Sequence, residues 1–164
     1  MSTAGAGSIE ARLAELGLGL PVAAAPAANY VPWTISGSNL YVAGQLPFED
    51  GKLTVLGPVG SGLGGEAVSV ERATHAARLC GLNILAQAKA ALDGDLERIV
   101  RCLKLGGFVQ SAPGFVDHPK VINGASDLMV AVLGDAGRHA RFAVGASSLP
   151  LNVTVEIDAV FEIR

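Results

Sequence analysis

From Val153 to Ile163 every second residue is apolar: Val153, Val155, Ile157, Ala159, Phe161 and Ile163. Between them stand Thr154, Glu156, Asp158 and Glu162. A period of two is the strand period, so the stretch presents one apolar and one acidic face. Such a strand suits a sheet covered by helices on one side. The rest of the chain must therefore supply flanking strands and helices to bury the apolar face. Upstream, Arg141 opens a second apolar stretch, FAVGA, before the Leu149-Pro150 break. Arg141 and Glu156 are either two surface charges or two walls of one pocket.

The remaining sequence provides those elements. Residues 8–18 read as a short helix with Ser8 as cap and Gly17 as stop. Residues 21–32 form a Pro/Ala-rich extended lead-in, and residues 33–44 a hairpin around Gly37-Ser38-Asn39. Asp50-Gly51 marks another turn. The glycine-rich stretch 57–66 lacks both a Walker Lys-Ser/Thr pair and dinucleotide-type glycine spacing after a strand, so it reads as a flexible connection. Residues 67–92 are a long helix with an apolar stripe of Val70, Ala73, Ala77, Cys80 and Ile84. Glu71, His75 and Arg78 lie on its polar side, and Asp93-Gly94-Asp95 ends it.

Residues 99–110 alternate as a strand. Residues 119–133 form a second helix, with Pro119 in its first turn and Gly134 and Gly137 closing it. Residues 141–146 and 152–163 are the last strands. The order β-β-(β)-α-β-α-β-β is α+β, with two helices packed on one face of a mixed sheet. The expected division is an N-terminal helix and lead-in over 1–28 and one domain over 29–164.

Composition narrows the functional classes. Half of the 164 residues are apolar, 16% are charged and 5% aromatic, so the core must be built from Ala, Val, Leu and Ile. That balance leaves more apolar surface than a small monomer hides and points to a homo-oligomer. A formal net charge of -3 without a basic cluster argues against nucleic acid as a partner. No uninterrupted run of 18 apolar residues is present, so no membrane span is expected. The opening MSTAGAGSIEARLAEL lacks a basic region followed by an apolar core, which leads to a cytoplasmic expectation. Cys80 and Cys102 form no CxxC and read as small buried hydrophobes; no metal and no cofactor is expected.

Four segments carry a resemblance. RFAVGASSLPLNVTVEIDA resembles the C-terminal signature of the RidA family, also called YjgF/YER057c/UK114, in the order Arg141, Leu149-Pro150, Val153, Glu156. AGQLP at 43–47 is similar to the family's SGQ-hydrophobe-Pro stretch. Arg78 and Asn83 match its R-x-x-x-x-N, and FVQSAPGF precedes a helix carrying Asn123. The likeness runs from about Asn29 to the end, with the stretch INGASDLMVAVLGDAGRHAR in and after the 119–133 helix marking a divergent subgroup.

The resemblance implies a chorismate-mutase-like (bacillus-type) fold assembled as a homotrimer around a central β-barrel, with a small carboxylate metabolite in each cleft between subunits. It also implies hydrolysis of reactive enamines and imines, such as 2-aminoacrylate and 2-iminopropionate, to a 2-keto acid and ammonia. Arg141 would grip the carboxylate, because guanidinium stays charged and binds it bidentately. Glu156 would orient water and move protons. Tyr30, Gly44, Asn123 and Ala143 would line the pocket, Gly44 and Ala143 through their backbones. Against these roles stand plain ones: Arg141 as a strand-end charge, Glu156 as a cross-strand partner, Asn123 as a helix residue bonding a loop. His139 reads as an exposed loop residue that could tune the site, and His75 and His118 as surface residues. The family's Cys two residues after the Arg is Ala143 here; its Glu four residues after is Gly145, which points to a different, larger pocket. A non-catalytic trimeric binder of small carboxylates is the alternative. The endoribonuclease or translation-inhibitor activity in the family's names is weaker, given the acidic balance.

Overall fold

A computed structural model describes residues 8–26, 28–60 and 67–164. Five strands form one sheet in the order β1 (Trp33–Ser36), β2 (Asn39–Gln45), β7 (Val155–Ile163), β5 (Ile99–Gln110), β6 (Ala140–Ala146). The acidic-faced strand, β7, lies at the centre, antiparallel to both β2 and β5. β5 and β6 run parallel, which requires a crossover, and helix α3 (His118–Leu133) supplies it. A small hairpin of β3 (Phe48–Glu49) and β4 (Lys52–Leu53) turns at Asp50-Gly51, both with positive φ.

The alternation read from β7 holds. Val155, Ile157, Ala159, Phe161 and Ile163 are buried under the helices, while Glu156, Asp158, Val160 and Glu162 face the other way. Thr154 departs from this reading: it is fully buried and donates to the Gly57 carbonyl at 2.7 Å. The cause is the segment before residue 61, which covers the start of β7. Gly57 donates to the Asn152 carbonyl, and Val59 donates to the carbonyl of Gln110 at the end of β5 and accepts from the amide of Ala112 just beyond it. Residues 57–60 are therefore hydrogen-bonded into the fold, not a loose connection; 61–66 lie outside the described residues.

Helix α2 (Val70–Ala91) starts where its cap chemistry dictates, with Ser69 Oγ accepting from Arg72 N at 3.1 Å. Its stripe of alanines lets it sit low on the sheet and against α3. At that crossing Gly124 of α3 leaves room for the Thr74 carbonyl, where a Cβ would collide with it. Asn83 is buried and donates to the carbonyls of Phe48 and Leu79, tying the β3–β4 hairpin to α2. Both cysteines are buried. Helix α1 (Ile9–Glu15) is capped by Ser8 and ends at Gly17, with φ 67. Its Ile9 and Leu13 join the common core, and Gln87 of α2 donates to Ala24 of the lead-in at 2.7 Å. The N-terminal segment thus packs with the rest of the chain. Within the chain the sheet is open, with no closed barrel among the described residues, and the side opposite the helices is uncovered. Tyr41, Phe108 and Val144 are each at least 40% exposed there. No helix among the described residues is long and apolar enough to cross a membrane.

Candidate functional site

The uncovered sheet face carries Glu156 at its centre. β7 places Glu156 opposite Phe108 of β5, and an irregularity in β2 between Val42 and Gln45 brings Gly44 beside it. Gly44 is needed here for its lack of a side chain: a Cβ would collide with Glu156 Oε1. Together with Phe108, Ala146, Leu149 and Asp158 these residues line a cavity of about 410 Å³. Its walls are mostly apolar, and its polar groups are two carboxylates.

Asp158 is the residue that sequence reasoning passed over, although its signal was present. Two positions after Glu156 on a strand, it shares the same face. Burial pushes the Glu156 carboxyl above its ordinary pKa, and the neighbouring Asp158 charge adds to the effect. Burial also raises Asp158, opposed by the Gly106 amide and by Lys104. A carboxyl raised in this way can hold and release a proton closer to neutrality, which is what a group handling water and a leaving nitrogen needs.

Arg141 lies elsewhere. It sits on β6, at the edge of the sheet, and its side chain turns to the helix side. Nη1 donates to Ser126 Oγ at 3.0 Å and Nη2 to the Pro119 carbonyl at 3.2 Å, both on α3. Within one chain, Arg141 and Glu156 therefore project from opposite faces of the sheet and do not meet across a pocket. The reason is register: Arg141 pairs with buried Leu105, whereas Glu156 pairs with Phe108, whose side chain is on the open face. Ala143, two residues on, shares the helix side with Arg141 and packs against the core. Among the described residues no carboxylate lies within 4.0 Å of Arg141.

The other expected residues divide between these places. Tyr30 is 48% exposed and lines a smaller crevice of about 80 Å³ with Gly44, Gln45, Gln87 and Leu151. Gly44 thus borders both hollows. Asn123 is exposed on α3 and is not part of the Glu156 cavity. Gly145 opens no extra room: a Cβ there would fall 2.6 Å from His118 Nε2 and 2.8 Å from Ser111 Oγ. His118 is accordingly half-buried, bonded to Ser111 Oγ at 3.1 Å and edge-on to Phe115, and is not a free surface residue. His139 is also half-buried and bonded, where the sequence reading had it exposed; the β5–α3–β6 crossover brings α3 over it. His75 is exposed, 4.0 Å from Glu49. No cluster of metal-ligating side chains occurs among the described residues.

Comparison with known proteins agrees with this architecture. Residues 10–162 match the family model described as "YjgF/chorismate mutase-like, putative endoribonuclease". The chain is 46% identical to a Trypanosoma cruzi protein named TCP17, over 100% of this chain and 99% of that one. A crystal structure of Atu1372 from Agrobacterium tumefaciens, a protein of unknown function, is 60% identical with a TM-score of 0.86, covering 95% of this chain and 92% of the other. A Shewanella oneidensis structure bearing the same endoribonuclease name is 37% identical with a TM-score of 0.89, covering 96% and 100%. RidA from a Psychrobacter species is 25% identical with a TM-score of 0.56, over 88% and 98%. The chain belongs to the YjgF/RidA family.

Proposed function

We propose that the protein hydrolyses small reactive 2-imino acids to a 2-keto acid and ammonia, as a homotrimer whose sites are shared between neighbouring chains. The observation that carries this reading is the separation of its two chemical halves. Glu156, with its raised pKa, borders a cavity on the uncovered sheet face. Arg141, with no carboxylate within 4.0 Å among the described residues, stands on β6, whose outer edge pairs with no other described strand. A ring contact that laid the β6 edge of one chain against the open face of the next would bring Arg141 and Ala143 of one to Glu156 and Gly44 of the other. It would also bury Tyr41, Phe108 and Val144, whose exposure is costly in a monomer.

In that cleft the guanidinium takes the substrate carboxylate and leaves the imine carbon near the Glu156 carboxyl. Glu156 as carboxylate orients a water for attack on the imine carbon. As carboxylic acid it returns the proton to nitrogen, so that ammonia leaves and the C=O of the keto acid forms. Residues Tyr30 and Asn123, exposed within one chain, are available to border a cleft of this kind.

The test is release of ammonia and keto acid from 2-iminopropionate generated by an amino-acid oxidase. Wild type should accelerate it above the uncatalysed rate, and Arg141→Ala and Glu156→Ala should each abolish the gain. Mixing the two inactive variants under subunit exchange should restore about a quarter of the wild-type activity, because a head-to-tail ring of three then holds some intact sites. No acceleration by a folded trimer would leave a carboxylate-binding role in its place.

A further inference from the structure

We propose that Ser126 and His139 form a hydrogen-bonded relay that sets the guanidinium of Arg141 for its ligand; the proposal rests on the reading of Arg141 as the carboxylate anchor. Three contacts define the relay. His139 Nδ1 lies 2.6 Å from the Gly137 carbonyl, His139 Nε2 lies 2.9 Å from Ser126 Oγ, and Arg141 Nη1 donates to the same Oγ at 3.0 Å.

The direction of each bond follows from what its atoms can do. A carbonyl oxygen only accepts, so Nδ1 of His139 carries the hydrogen. In the neutral ring Nε2 is then the acceptor, and Ser126 gives it its one hydroxyl hydrogen. Both lone pairs of Ser126 are left for donors, and Arg141 occupies one. The chain runs Arg141 to Ser126 to His139 to the Gly137 carbonyl, each donor passing to the next acceptor. Gly137 closes against the Met129 carbonyl with no room for a Cβ, so the far end of the relay is anchored in packed backbone.

The chemistry of the partners is as informative as their positions. A guanidinium held by a carboxylate has its charge compensated before any ligand arrives. Arg141 is held by a hydroxyl and a carbonyl, both neutral, which use two of its five N–H donors. Its orientation is thereby fixed while its charge stays available to an incoming carboxylate. Of the charged residues on the surrounding elements, Arg12, Lys104, Lys120, Asp127 and the Asp135–Arg138 pair, none is hydrogen-bonded to the imidazole, and among the described residues no carboxylate lies within 4.0 Å of it. Ser126 and His139 are positioning residues that act through Arg141.

The experiment measures pyruvate binding by calorimetry, and the KM and kcat of imine hydrolysis, for the full chain and variants of verified melting temperature. Loss of one oriented hydrogen bond to a charged group should weaken pyruvate binding about tenfold in Ser126→Ala and in His139→Phe, and raise KM without changing kcat. The double variant should be no weaker than either single one, because the relay is serial. Ser126→Thr, which keeps the hydroxyl, should bind within about twofold of wild type. If Arg141→Ala loses pyruvate while Ser126→Ala and His139→Phe keep it, or if their losses add, the relay is wrong and the anchor stands. If Arg141→Ala binds like wild type, or wild type does not bind, the anchor fails and the relay with it. Nitrogen NMR of His139 in the ligand-free protein supplies an independent check: hydrogen on Nδ1 is required, and hydrogen on Nε2 alone overturns the proposal.

Discussion

Replacing Gly44 by alanine tests the geometry of the Glu156 site most directly. The new Cβ would overlap Glu156 Oε1 and lie 3.0 Å from its Cδ and 3.2 Å from its Cγ. No other neighbour is so close, and Gly44 has no positive φ, so its backbone accepts an alanine. The whole cost must therefore fall on the Glu156 side chain. Its carboxylate has to retreat by about 1 Å to restore ordinary contact distances. Leaving a preferred rotamer costs about 1 kcal/mol, which for a domain of this size lowers Tm by about 2–4 °C. On the proposed role of Glu156, a displacement of about 1 Å at the reacting group should lower imine turnover about 100-fold. In a Glu156→Ala background the obstacle is gone, and the same alanine should cost nothing or add up to about 0.5 kcal/mol by restricting the unfolded chain. The four proteins of this double-mutant cycle, compared by denaturant titration, should show a coupling of about 1 kcal/mol. An equal cost of Gly44→Ala in both backgrounds would falsify the proposed contact.

Three further predictions concern pH dependence, helix packing and thiol reactivity. The folded state raises the pKa of Glu156, so the unfolded chain ionises first as pH rises. Stability from this group is present below the unfolded pKa and lost as pH rises through the folded one; Glu156→Gln should raise Tm at pH 8 relative to wild type, with the difference shrinking at pH 4. Gly124→Ala would drive a Cβ into the Thr74 carbonyl, a backbone atom that no rotamer can move. It should cost about 2–3 kcal/mol, whereas Gly81→Ala, which crowds the tip of Leu128 and touches Ala125 only at ordinary contact distance, should cost less in the same urea titration. Both thiols are buried, Cys80 with its pKa raised well above the ordinary value and Cys102 pushed up to about 12. An aromatic disulfide reagent at pH 8 should leave both unmodified in the native protein and label both once guanidinium unfolds it.

What the sequence by itself determined is the set of elements and the faces they turn to the core. Periodicity is a local property, and it survives folding: β7 buries Val155, Ile157, Ala159, Phe161 and Ile163 as its alternation requires, and α2 buries Ala73, Ala77, Cys80 and Ile84 of its apolar stripe, although it begins after the Ser69 cap and not at residue 67. The placement of Glu156 and Asp158 on one face was equally legible, since two residues along a strand return to the same side. Which face Arg141 took relative to Glu156 was not legible, because it depends on register across β5, a non-local pairing between segments far apart in the chain. The partners of Thr154, His118 and His139 were hidden as well, because chain direction between elements is not written in local periodicity. Each is supplied by a segment that the tertiary fold brings over it: Gly57 over Thr154, Ser111 beside His118, Ser126 of α3 over His139. The sequence therefore marked the residues with chemistry to offer. Only the packing of α3 on the sheet decided that Arg141 is held by neutral groups on one face while Glu156 borders its cavity on the other.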